Sequence, residues 1–142
     1  MCLVELDATL AGRASSTAAA HSLGRVEVRV GDAGNTDQYG DAVPADLLLV
    51  CGVFGNIATD DIARTVQYLP MLCAPGATVI WTRHRREPDL TPVLRRWFSE
   101  VGMTEVAFEA PGGDSWVGVG VHRLDGAPRQ FEPSVQLFTF VT

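Results

Sequence analysis

Residues 45–51 read Ala-Asp-Leu-Leu-Leu-Val-Cys, a nearly unbroken apolar run with Gly52 directly behind it. A run so short and continuous suits a central strand covered on both faces, as in a parallel sheet. Parallel strands need long crossovers, usually helices, so the segments on either side must alternate in type. They do. Residues 2–6 form a short apolar run that stops at acidic residues, and Asp7 stands where a helix cap is wanted. Leu10, Ala14 and Ala18 then recur at helical spacing until Gly24. Val26, Val28 and Val30 alternate with Glu27 and Arg29, the pattern of a strand near a sheet edge. Thr59 is placed to cap a helix with Asp60 and Asp61 in its first turn and an Ile62, Val66, Leu69 stripe, stopped by Pro70. Residues 77–81 predict another buried strand, with 82–86 as its polar exit.

The strongest helix signal follows. Asp89 is placed to cap it, Leu90, Val93, Leu94, Trp97, Phe98 and Val101 share one face, and Gly102 closes it. Val106 and Phe108, with residues 116–121, predict two strands joined at Pro111-Gly112-Gly113-Asp114, a hairpin turn signal. Residues 137–141 predict a last short strand. The expected architecture is therefore α/β and Rossmann-like. It has a mainly parallel twisted sheet, helices on both faces and a C-terminal antiparallel hairpin, in one domain spanning 1–142.

Composition narrows the function classes. The 142 residues are 46% hydrophobic and 20% charged, enough apolar content to bury a core. No apolar run approaches the ~20 residues of a bilayer span, and no basic region leads into an apolar stretch after Met1, so a cytoplasmic location is expected. A net charge of -6 argues against bulk nucleic-acid binding. Cys2, Cys51 and Cys73 are odd in number, widely spaced and set among apolar residues, which predicts reduced core thiols and no metal. No phosphate loop, paired CxxC or HExxH occurs. Gly113-Asp114-Ser115-Trp116-Val117 misses the nucleophile elbow because Val117 stands where glycine is required. Gly118-Val119-Gly120 lies inside a strand and lacks a third glycine, so it is not a dinucleotide fingerprint.

Ligands of such sheets bind outside the carboxyl ends of the strands. Those ends carry Glu5 and Asp7, then 32–35, then 51–56, then 83–86. Glu5 is costly at the end of an apolar strand unless paired or wet, and an acid there can accept both hydroxyls of a ribose. Asp7 reads as a cap. Asp32 can form an Asx turn or meet a ligand. Val53 and Phe54 can wall a pocket or cover the sheet. Arg83, His84, Arg85 and Arg86 can be a solvated loop or a clamp for an anionic substrate. His21 and His122 fall on structural elements.

Four segments in order, Leu3-Val4-Glu5-Leu6-Asp7, Val26-Glu27-Val28-Arg29-Val30-Gly31-Asp32-Ala33, Ala45-Asp46-Leu47-Leu48-Leu49-Val50-Cys51-Gly52 and Leu72-Cys73-Ala74-Pro75-Gly76-Ala77-Thr78-Val79-Ile80, resemble the class I S-adenosylmethionine-dependent methyltransferases from that family's second strand onward. The resemblance implies that Glu5 holds the ribose hydroxyls of S-adenosylmethionine and Leu6 packs on the adenine. It also implies that Asp32 meets the adenine amino group beside the Ala33 backbone. Residues 51–56 would line the place where donor and acceptor meet, with Cys51 and Gly52 on the cofactor and Phe54, Asn56 and Arg83 toward the acceptor. His84 is the candidate base, since its ordinary pKa is near neutral. The acidic surface favours a small-molecule or protein acceptor.

The family's first strand and glycine-rich loop should precede Leu3, and two residues do. That strand lies between the family's second and fourth, so its removal leaves a gap of roughly 9 to 10 Å with unpaired backbone on either side. Strand two can shift against strand four, another copy of the chain can donate a strand as a homodimer, or the region can be disordered or aggregation-prone. A late start site or a truncated chain is the expected origin. Three functions follow: a methyltransferase, a non-catalytic remnant of the fold acting as a dimerising or binding module, or a nucleotide-binding domain of another Rossmann-like type.

Overall fold

The protein is described by a computed structural model covering residues 1–112 and 116–141. It divides into two compact units, Met1–Ala42 with Glu132–Gln136, and Val43–Phe131 with Leu137–Thr142.

In the first unit β1 (Cys2–Glu5) leads through Leu6 and Asp7 into α1 (Ala8–Ala20), which returns the chain to β2 (Glu27–Val30). The two strands pair parallel in the register Cys2 with Glu27 through Glu5 with Val30. Asp7 is the predicted cap: its carboxylate accepts from the N–H groups of Thr9 and Leu10 at 2.7 and 2.9 Å. The helix stops before Gly24, because Ser22 takes the left-handed conformation (φ 54°) that ends it. Residues 132–136 are fastened here by Thr36, whose N–H donates to the Val135 carbonyl and whose hydroxyl accepts from the Val135 N–H.

The second unit holds β3 (Ala45–Val50), α2 (Thr59–Tyr68), β4 (Cys73–His84), α3 (Thr91–Glu100), β5 (Met103–Glu109) and β6 (Val117–Leu124). Its sheet order is β3-β4-β6-β5, parallel between β3 and β4 and antiparallel for the other two pairs. The sheet is thus mixed rather than mainly parallel, because the predicted hairpin supplies half of its strands. Its core holds an aromatic cluster. Trp81 lies parallel to Phe98 (5.8 Å between ring centres, 8° between planes), Phe54 meets both edge-on, and His122 stacks on Phe98 at 4.4 Å. Gly120 is glycine for this reason. A Cβ there would stand 2.2 Å from the Trp81 indole.

Several expectations are corrected. The apolar run 45–51 does not lie centrally in its sheet: among the described residues β3 pairs with β4 alone, and Leu47 and Leu49 are 53% and 59% exposed. β4 begins four residues earlier and ends three later than the apolar pattern shows, since pairing with β3 and β6 extends it past its hydrophobic centre. Thr59 is the first residue of α2 rather than its cap, and no side chain caps that helix. Asp89 does bind the Thr91 N–H, from one residue outside the assigned cap. Of the cysteines only Cys73 is buried; Cys2 is half-buried and Cys51 exposed. Residues 137–141 form no strand but make one bridge, Ile57 to Phe140. The turn predicted at Pro111-Gly112-Gly113-Asp114 and the near-elbow at 113–117 fall partly on residues 113–115, outside the described residues. No described helix is long and apolar enough to cross a membrane.

Candidate functional site

The carboxyl ends of β1 and β2 form one rim of the first unit. Because these strands are parallel and Glu5 is the register partner of Val30, Glu5 and the Gly31-Asp32 turn emerge on the same side; the Gly31 N–H donates to the Glu5 carbonyl at 3.0 Å. Glu5 is half-buried, and one carboxylate oxygen accepts from the Asp7 N–H at 2.9 Å. That bond orients the side chain and leaves Oε2 to accept another donor. Leu6 follows it 67% exposed, between the end of β1 and the Asp7 cap of α1.

Asp32 forms the Asx turn read from its sequence context, with Oδ1 accepting from the Gly34 N–H at 2.8 Å and Oδ2 from Gln136 at 2.9 Å. The Ala33 carbonyl accepts from the Tyr39 hydroxyl at 2.7 Å. Burial pushes the Tyr39 pKa up to about 12, so it remains a donor at neutral pH. Tyr39 carried no motif. Its part depends on the short helical turn Thr36–Gln38 that swings it back beneath Ala33.

The second unit carries the remaining candidates at the carboxyl ends of β3 and β4. Cys51 and Gly52 are exposed; the Gly52 N–H donates to Thr82 Oγ1 at 3.0 Å and its carbonyl accepts from Asn56 Nδ2 at 2.7 Å. Asn56 therefore closes its own loop. Phe54 is fully buried, so its ring is part of the aromatic core and offers no wall to a ligand, while its carbonyl accepts from the Arg83 guanidinium.

Arg83 is 8% exposed, makes no ion pair among the described residues, and its Nε has no partner. Burial holds its pKa below the usual arginine value, with the charge of Asp89 opposing the shift. His84 is half-buried, its Nδ1 is enclosed without a partner, and its ring lies 3.1 Å from where a Gly55 Cβ would be. The 52–56 loop thus packs tightly over the end of β4. No group of three metal-ligating side chains is found among the described residues.

No family model matches the chain, and no curated protein matches it significantly. Solved structures do. An O-methyltransferase family protein from Burkholderia thailandensis superposes with a TM-score of 0.68 at 16% identity, over 86% of this chain and 42% of that one. The fold is that of the S-adenosylmethionine-dependent methyltransferases. The N-methyltransferase NodS from Bradyrhizobium japonicum WM9, solved with S-adenosyl-L-homocysteine, gives 0.68 at 15% identity over 88% of this chain and 66% of its own. The methyltransferase SibL, in its apo form, gives 0.60 at 20% identity, over 90% and 43%. The chain therefore spans between about two fifths and two thirds of the length of these methyltransferases.

Proposed function

We propose that the chain binds S-adenosylmethionine through the β1–β2 rim and serves methyl transfer to a small-molecule or protein acceptor. The observation that carries this reading is the parallel register of β1 and β2, which sets Glu5 and Asp32 on one side of their sheet. The rim residues fit the nucleoside half of the cofactor. Glu5 has one oxygen oriented by the Asp7 N–H and a second oxygen to receive a ribose hydroxyl. Leu6 offers exposed apolar surface to an adenine face, and Asp32, held by Gly34 and Gln136, stands beside the Ala33 backbone to accept from the adenine amino group.

The bound cofactor would supply a methyl group already activated by its sulfonium, so the protein's share is alignment. The family resemblance assigns Cys51 and Gly52 to the donor side, and within their own unit Asn56 closes the loop that carries them. Phe54 contributes through its backbone and by packing. Arg83 is a buried cation with no ion pair among the described residues and an unpartnered Nε, a costly arrangement that a carboxylate or phosphate on the acceptor would relieve. His84, whose Nδ1 is enclosed, would take the acceptor's proton at Nε2.

Calorimetry with S-adenosylhomocysteine tests the reading. Micromolar binding, weakened at least about tenfold in Glu5→Ala and in Asp32→Ala, supports it. No heat at millimolar ligand sinks it and leaves the second reading, a non-catalytic module of the same fold. That second reading is favoured by β1 and β3 each having a strand partner on one side only among the described residues. A second copy of the chain is the partner proposed for those open edges.

A further inference from the structure

A groove of about 660 Å³ runs between α3 and the β5 and β6 strands, lined in part by Pro92, Arg95, Ser99, Glu105, His122 and Asp125. It shares no residue with the rims described above. At its floor His122 is 1% exposed. Its Nδ1 accepts from the Trp81 indole N–H at 3.2 Å, so the neutral ring carries its proton on Nε2. That N–H has no hydrogen-bond partner. The nearest carboxylate oxygen, Glu105 Oε2, lies 3.7 Å away, too far for a hydrogen bond. Glu105 is kept there by Arg95, whose Nε and Nη2 donate to its two oxygens at 2.6 and 2.7 Å. Arg95 in turn lies over the Phe108 ring at 4.4 Å, which fixes the plane of its guanidinium.

This arrangement has one partner too few. Two donors, the Arg95 fork and the buried His122 N–H, compete for a single carboxylate, and the fork has it. We propose that the groove is a site for a small oxyanion, a carboxylate or a phosphate, which takes the Arg95 fork and releases Glu105 onto the His122 N–H. The planar guanidinium suits either anion in a bidentate contact. The displaced Glu105 has somewhere to go, since less than a 1 Å approach would give it a charge-assisted bond to a buried donor. Ser99, one turn along α3 from Arg95, lines the same groove and can add a third contact. Arg95 and Glu105 side chains are 39% and 32% exposed, so both are reachable from solvent.

The test is titration of the full chain with inorganic phosphate and, separately, with acetate, at constant ionic strength and without cofactor. It follows the His122 ring resonances by NMR. Saturable binding of either anion is expected, with the His122 Nε2 proton moving to a hydrogen-bonded shift. Phosphate alone would identify a phosphoryl ligand, acetate alone a carboxylate. Glu105→Gln removes the competing charge from an exposed position and should tighten binding roughly tenfold. Arg95→Ala should abolish it. Absence of saturation in both the parent and Glu105→Gln, or binding that survives Arg95→Ala, overturns the proposal.

Discussion

The Trp81 indole donates its N–H to Nδ1 of His122 across 3.2 Å, joining neighbouring strands β4 and β6 by a hydrogen bond inside the aromatic cluster of the core. That bond needs a histidine with an unprotonated Nδ1. Burial accordingly holds the His122 pKa below its ordinary value, with Glu105 opposing the shift and Arg95 adding to it.

The unfolded chain therefore binds a proton that the folded chain resists, and stability is full above about pH 6.5 and declines as the pH falls through that value. Glu105, held below the usual carboxylate range by Arg95, adds a further loss at more acid pH. Urea unfolding from pH 7.5 to 5 should show this decline, no steeper than about 1.4 kcal/mol per pH unit for one proton. In His122→Phe the slope over this range should flatten. An unchanged slope in the variant would remove His122 from the account.

Gly120→Ala should destabilise the second unit by about 3 kcal/mol, because the added Cβ would fall 2.2 to 2.5 Å from three atoms of the Trp81 indole, which has no free space to retreat into. Denaturant midpoints and Trp fluorescence report this directly. A loss below about 0.5 kcal/mol would show that the ring is not held where the structure has it.

Phe54→Ala separates a core role from a ligand-facing one. With the ring fully buried against Trp81 and Phe98, the expected cost is about 3 to 5 kcal/mol in unfolding free energy. A variant of near-parental stability would mean that the ring faces solvent or ligand instead.

The exposed leucines of β3 bear on assembly. Sedimentation velocity should show concentration-dependent association of the parent chain, reduced in Leu47→Asp and in Leu49→Lys, because charges on an open strand edge oppose strand addition. A strictly monomeric parent would count against a second copy on this edge.

Much of the element order is legible in the residues. Asp7 begins α1, Gly102 (φ 81°) follows α3, and the valine alternation marks β2, because caps, left-handed stops and strand faces are local matters of one or two turns. The boundaries of β4 are less so, since strand pairing extended it through Pro75 and Gly76 to His84. Burial misled twice in opposite directions. Phe54 sits in a loop signal yet fills the core, and Leu47 and Leu49 sit in the most apolar run yet face outward.

For the candidate site, sequence order alone placed Glu5 and Asp32 after strands, and the parallel register put both on one rim. It could not show that Asn56 closes its own loop, that Arg83 is enclosed with its Nε unpartnered, or that Tyr39 supports Ala33.

Local chemistry, written in apolar periods and capping residues, determined that this chain alternates strands and helices and where most of them start. The tertiary structure decided which strands have neighbours, which leucines stay wet, and how residues as distant as Trp81, Arg95, Glu105 and His122 meet around one buried imidazole. The division has a physical cause: propensity and capping act within a few residues, whereas burial and pairing depend on partners that only the closed fold brings within hydrogen-bonding reach.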